Sequence, residues 1–245
     1  MQNGHKMVSR LLTVSATDCS NHRIVKWKCN STSGQIAAGG NGLENSITQL
    51  NSSTDVIGDK ENGCLIICDV DKSNGYLYVR DYEKHEVRRW KPEDTNRIIV
   101  AGGNGEGDRL NQLNGRFHIF VYNDQSIYVS DEHNHRVMKW MKDAKEGIVV
   151  AGGNGPGNSL TQLWASIGVA VDQLDTIYIA DSNNHRIIRW PQEVKQGSIV
   201  VDENGKEEQA NQLSSSLDLT FDQQGNLYVV DNGNYRVQRF NIDIS

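Results

Sequence analysis

The apolar residues of this chain fall in short runs rich in Val, Ile and Tyr, and the runs are parted by Gly, Asn and Asp. Ile167–Val171, Ile177–Ala180, Arg186–Trp190 and Ser198–Val201 show the pattern at its clearest. β-Branched and aromatic residues held between turn formers predict strands. No stretch spaces its apolar residues as a helix would over three turns, so helices are not expected. Successive apolar positions, as in Val169-Ala170-Val171, predict strands covered on both faces rather than on one.

The pattern repeats. Asp131–Ala180 and Asp181–Val230 share 16 identities in 50 positions without a gap. The clearest landmark is D-x-x-N-H-R-h-h-[KR]-W, with h mostly aliphatic. It stands at Asp18–Trp27, Asp81–Trp90, Asp131–Trp140, Asp181–Trp190 and Asp231–Phe240. A second, A-G-G-N-G, stands at Ala38–Gly42 in shortened register, at Ala101–Gly105 and at Ala151–Gly155, and decays at Val201–Gly205. A third, Q-L, stands at Gln49–Leu50, Gln112–Leu113, Gln162–Leu163 and Gln212–Leu213. From Asp81 onward the period is 50. Four of the five Trp are therefore copies of one position, and Trp164 stands outside it.

A four-stranded unit cannot bury both of its faces alone. Stacking such units gives either a propeller or an open array. The expectation is an all-β fold, a β-propeller of four-stranded antiparallel blades, in one domain spanning 1–245. The units are approximately 4–49, 50–111, 112–161, 162–211 and 212–245. The first has only a feeble first strand near Lys6–Val8, and the last stops after its third strand at Phe240. Asp18 and Asp81 are 63 residues apart instead of 50, and two readings fit this break. One is a loop insertion. The other is a lost stretch: Asp55–Asp59 fills a first-strand slot, Leu65–Cys68 a second, and Tyr76–Val79 a second again, leaving a scar at 51–71. On that reading five blades descend from six, with closure of the ring left open.

Composition narrows the function classes. Hydrophobic residues make up 37% of the chain and charged residues 23%, as in a folded domain with a core. The net charge of −6 disfavours nucleic acid as a general partner. No apolar run approaches a membrane span, and the first ten residues lack the apolar core of a secretory signal, so the compartment expected leans to the cytoplasm. Cys19, Cys29, Cys64 and Cys68 form no C-x-x-C pair and are too few for a disulfide scaffold.

The run I-Y-[IV]-A-D-x-x-N-H-R-[IV] at Ile177–Ile187, with variants at Ile127–Val137 and Leu227–Val237, resembles the signature of NHL repeats. The resemblance extends over nearly the whole chain in five copies. It implies a propeller, usually six-bladed, of the kind that serves as a binding module in tripartite-motif proteins and as a sensor domain in receptor kinases. Catalytic relatives of that architecture are the lyase that completes peptide amidation and, more distantly, lactonase-like hydrolases. The chain departs from the family where a Pro normally precedes the first strand: Ser53, Arg116, Ser166 and Ser216 stand there instead.

Most candidate chemistry in the landmarks reads as structure. His22, His85, His135 and His185 tempt a metal reading, but equivalent positions in successive blades lie on a wide ring, whereas ligands must converge within about 2.1 Å of one ion. Asp and Arg flank a four-residue turn and can face each other across a hairpin, so they read as cross-strand pairs. Asp81 would face Glu86, and Glu86→Arg is accordingly expected to raise the melting temperature. The glycine loops resemble phosphate-binding loops, but no helix follows them. Lys26, Arg89, Lys139, Arg189 and Arg239 could line a nucleic-acid groove, yet their stems read better as cover for a buried seam. No G-x-S-x-G, no H-E-x-x-H and no distinctive nucleophile appears, and no cofactor is expected.

In an up-and-down blade the second-to-third turn and the blade-to-blade connection share one end. A constant frame there carries tips that differ between units, which suits recognition. The expected function is a non-enzymatic binding module for a protein or peptide partner, using the face of the D-x-x-N-H turns and G-G-N-G loops. Its candidate contact residues are Tyr82, Glu83, Lys84, Glu132, His133, Ser182 and Asn183. Two alternatives stay open: a propeller enzyme, an amidating-type lyase or lactone hydrolase with an axial metal, and an RNA-binding NHL domain.

Overall fold

A computed structural model describes residues 13–18, 23–28, 35–39, 57–59, 64–66, 76–90, 98–115, 118–201, 212–222 and 224–242. The segment near Lys6–Val8, the turn at 19–22 and most of 51–71 lie outside them. The regular structure is strands joined by turns and, at three of the landmarks, a single 3-10 turn. The strands form antiparallel sheets in chain order. The first sheet is β1 (Thr13–Asp18), β2 (Arg23–Lys28) and β3 (Gln35–Gly39); a two-stranded sheet follows, β4 (Ile57–Asp59) and β5 (Cys64–Ile66). β5 lies against β1 and β2. Next come β6 (Leu77–Asp81), β7 (Glu86–Trp90) and β8 (Ile98–Gly102). Two four-stranded sheets follow. One is β9 (Ile119–Val121), β10 (Ile127–Asp131), β11 (Arg136–Trp140) and β12 (Ile148–Gly152). The other is β13 (Ser166–Val171), β14 (Ile177–Asp181), β15 (Arg186–Trp190) and β16 (Ser198–Val201). β17 (Ser216–Phe221), β18 (Asn226–Asp231) and β19 (Arg236–Asn241) complete the order.

The core lies between sheets, not within one. Side chains alternate across a strand, so Ile127 and Val129 of β10 face one neighbour while Tyr128 faces the other. Ile127, Val129, Met138 and Trp140 pack with Tyr78, Val87 and Ala101 of the β6–β8 sheet. Tyr128 and Val137 pack with Leu163, Val169, Ile177 and Trp190 of the next sheet. Tyr178, Ala180 and Ile187 in turn meet Leu213, Leu219 and Leu227. Both repeat tryptophans whose side chains are described, Trp140 and Trp190, are buried in these seams, as are Leu113, Leu163 and Leu213 of the Q-L motifs.

Two features fix the end of each sheet that carries the D-x-x-N-H turn. The turn is tight, and the residue that ends it, His85, His135, His185 or Tyr235, takes a left-handed conformation with φ between 50° and 52°. The carbonyl of His135 then accepts the amide of Gly153 at 3.0 Å, as that of His85 accepts Gly103. A Cβ on Gly152 would stand 2.5 Å from that carbonyl, and Gly152 itself has φ +68°, so only glycine fits.

The second feature is a buried ionic clamp. Asp131 Oδ2 accepts Arg136 Nε and Asn134 Nδ2, both at 2.8 Å, and its Oδ1 accepts the amide of Asn114. Arg136 goes on to donate to the carbonyls of Asp108, Arg109 and Gln112, and Asn134 to that of Gly107. The same set recurs 50 residues on: Asp181 holds Asn184 and Arg186, and Arg186 binds the carbonyls of Asn158, Ser159 and Gln162. The Asp–Arg pairs expected across the hairpin are thus present at Asp131, Asp181 and Asp231. Their function is wider than a cross-strand pair, because each ties its turn to the connection that enters its own sheet. Burial pushes the Asp131 carboxyl up from its ordinary range, and its bonds to Asn134, Asn114 and Arg136 pull it back. Removing one partner of such a buried pair costs about 3–5 kcal/mol.

The Asp81 copy is built differently. Asp81 does face Glu86 in the strand register. Glu86, however, is ion-paired with Arg88, where Met138, Ile188 and Gln238 stand in the other units. The cation has moved two residues along the strand, and Lys84 Nζ sits 3.8 Å from Asp81 Oδ2 in place of the usual Asn. Glu86→Arg alone would therefore set two guanidinium groups side by side in a buried site and is expected to lower the melting temperature, contrary to the reading from the register. The double substitution Glu86→Arg/Arg88→Ile restores the clamp Arg without a second cation beside it and is expected to raise it, by about 2–4 °C for each kcal/mol gained. Thermal scans of the three proteins check both directions.

Candidate functional site

The clamp brings the D-x-x-N-H turns and the glycine loops to one end of the sheets. Asn134 and Arg136 bind the loop that precedes their sheet, while the carbonyl of His135 binds the glycine that follows it. Within each glycine loop the Gln of Q-L closes the curve: Gln112 Nε2 donates to the carbonyl of Asn104 at 2.9 Å, and Gln162 to that of Asn154 at 3.1 Å. These loops are connections stiffened by side-chain amides, and no helix follows to aim amides at a phosphate.

Against this frame the tips differ in what they expose. Glu83 and His133 are exposed, Glu132 and Tyr82 half-buried. The Tyr82 ring lies 6.1 Å from that of His85, tilted by 49°. Lys84 is half-buried and turned toward Asp81. Asn183 is exposed, and its amide donates to the carbonyl of Trp164. Ser182 does not belong with them. It is 3% exposed, and its hydroxyl donates to the carbonyl of Ser216. The small side chain turns inward to serve the contact with the next sheet and cannot meet a partner.

Trp164 is the residue that pattern reasoning passed over. It stands where Asn114 and Ser214 stand in neighbouring units, and it is 45% exposed. Its amide donates to Asp181 Oδ1 at 2.7 Å and its carbonyl accepts Asn183, so the backbone beneath the indole is pinned twice. An aromatic at a non-repeating slot was the available signal. An open hollow of about 340 Å³ lies near by, lined by Asp108, His133, Asn134, His135, Arg136, Val149 and Gly153.

Two of the repeat histidines, His135 and His185, are joints between sheets. His135 Nδ1 accepts the amide of Ala165, and His185 Nδ1 that of Ser215, each at the start of the next sheet. A ring nitrogen that accepts must be unprotonated. Burial, then the charge of neighbouring His133, pushes the His135 imidazole down from 6.5, against opposing pulls from Asp181, Glu132 and Asp131. Among the described residues no three His, Cys, Asp or Glu side chains are grouped so as to hold a metal. The basic residues before the aromatic largely lie along aromatic faces or find local partners: Arg89 over Tyr76 at 4.7 Å, Lys139 over Tyr128 at 5.0 Å, and Arg189 Nε to Ser198 Oγ at 3.0 Å. No helix among the described residues is long and apolar enough to cross a membrane.

Comparison with known proteins agrees with this architecture. The chain is similar to a structural genomics protein of unknown function from Bacteroides thetaiotaomicron, with 16% identity and a TM-score of 0.61 over 89% of this chain and 53% of that one. It is similar to a chain of a nidogen/laminin complex, with 14% identity and a TM-score of 0.61 over 96% and 77%. A streptogramin B lyase aligns at 10% identity and a TM-score of 0.54, over 94% and 65%. The chain spans about half the length of the first of these structures. Likeness at such identities is one of fold, and the fold is a β-propeller. The NHL repeat model matches residues 167–190 and 217–240, that is, β13–β15 and β17–β19. Those two stretches are NHL repeats, carried within a β-propeller. No curated protein sequence matches it.

The His135 joint yields a pH dependence. Its folded-state value lies below 6.5, so its contribution to stability is complete above that pH and is lost as pH falls through the lower folded value. The melting temperature is expected to drop as pH falls below 6.5, and His135→Asn, which keeps a residue tolerant of the left-handed conformation, should show a shallower drop. Thermal scans of both proteins across that range check it.

Proposed function

We propose that the propeller is a non-enzymatic binding module that meets a protein or peptide partner on the face of the D-x-x-N-H turns and G-G-N-G loops. One observation carries the reading: at each clamped turn the constant Asp, Asn and Arg are consumed inside the frame, while the positions between them differ from unit to unit and, Ser182 excepted, are exposed or half-buried. Tyr82, Glu83, Glu132, His133 and Asn183 are the proposed contact residues, with Lys84 at their margin. Trp164 joins them as an anchor, since a large ring on a rigid backbone adds contact area at little entropic cost. The nidogen/laminin structure supports the reading by analogy of fold, because a propeller there is part of an assembly.

Peptides selected from a displayed random library against the wild-type protein test it. The expected outcome is that Trp164→Ala weakens the selected peptides by at least about tenfold, as the loss of an interface anchor does, and that Glu83→Lys/Glu132→Lys weakens them further. Leu174→Ala, an exposed control on the turn between β13 and β14, should leave binding unchanged. Peptides that respond to the control and ignore the turn-face substitutions would place recognition elsewhere.

A further inference from the structure

The two faces of a sheet have different fates along this chain. In the β9–β12 and β13–β16 sheets, the face turned toward the following sheet is closed: Val137 and Ile187 are both 0% exposed. Leu163, Val169, Ile177 and Ile188 cover the first, and Leu213, Leu219 and Leu227 the second. The corresponding face of β17–β19 is open. Val237, at the Val137 and Ile187 position, is 63% exposed; Val230, at the Ala180 position, is 38% exposed. The chemistry of the face is unchanged and only its cover is missing.

The joint beside it has changed as well. His135 and His185 each accept the first amides of the next sheet through Nδ1. The residue in that left-handed position at the open face is Tyr235, which offers no such acceptor and is 96% exposed. An apolar ring suits docking of a surface to which the backbone is not joined.

The matching cover exists in the same sequence. In the β13–β16 sheet the covering positions are cross-strand pairs, Ile177 with Trp190 and Ile179 with Ile188. β1 and β2 pair Val14 with Trp27 and Ala16 with Val25 in that same register. The sequence of β1 and β2 thus repeats the covering pattern in register, while β17–β19 presents an exposed Val237.

We propose that a second copy of this chain docks the covering face of its β1–β3 sheet on the open Val230, Val237 and Tyr235 face, head to tail. The contact continues the interface already made three times between neighbouring sheets of one chain. It is heterologous, so each copy keeps one open face and one covering face. It is independent of the turn face.

Light scattering on size-exclusion fractions of the 245-residue chain, over a roughly hundredfold range of loading concentration, tests the proposal. Mass is expected to rise with concentration. Val237→Glu should weaken association by at least about tenfold, since it would bury an unpaired carboxylate, and Val230→Lys should do the same, with circular dichroism unchanged in both. Val14→Glu should also be monomeric alone, and mixed with Val237→Glu it should form a pair that grows no further, each partner having one intact face. Should Val14→Glu fail to fold, the two substitutions on the open face decide. A chain that stays monomeric at every concentration overturns the proposal, because its own first sheet or another protein would then cover the face. Association that survives both Val237→Glu and Val230→Lys overturns it equally.

Discussion

The structure depends on a buried carboxylate that is never left alone. Asp131, Asp181 and Asp231 are fully buried, and each accepts an Arg Nε, an Asn amide and one backbone amide. An ionised group in such a place is a liability unless every lone pair is used. Here the donors come from three parts of the chain: the turn itself, the strand after it and the segment entering the sheet. Satisfying one charge therefore fixes the relative positions of all three, which apolar packing between sheets would leave free to slide. The clamp sets geometry, while the seams of Val, Ile, Leu and Trp supply most of the driving force.

That division explains why the turn tips can vary without cost to the frame. The tips at Glu132-His133 and Asn183 hang from residues whose own bonds all run inward. Changing a tip alters neither the clamp nor the seam. The exceptions show how narrow the margin is. Ser182 occupies a tip position by sequence, yet one small hydroxyl within reach of the Ser216 carbonyl was enough to draw it into the sheet contact.

Much of this was legible in the residues. Strands, their order within a unit, the Asp–Arg pairing and the seam position of Trp follow from short apolar runs and a fixed spacing, both local signals. Two of the features that escaped depend on partners 30 or more residues away. The acceptor task of His135 requires knowing that Ala165 begins the next sheet beside it. The burial of Ser182 requires the Ser216 carbonyl. Arg88 was in plain view, but its service to Glu86 was hidden because the pattern compares each residue with its repeats and not with its neighbours. Trp164 was noted as an outlier from the repeat, and only its exposure shows what an outlier there can do.

The clamp repeated from β9 onward governs how the molecule comes apart. In a stacked array each unit is stabilised by its own contacts and by its joints to the two neighbours, so cooperativity spreads only as far as the joints are strong. From β9 onward every turn grips the segment that leads into its sheet. The sheets from β9 to β19 are therefore expected to open together rather than one turn at a time, because no turn can loosen without releasing the segment that leads into its sheet.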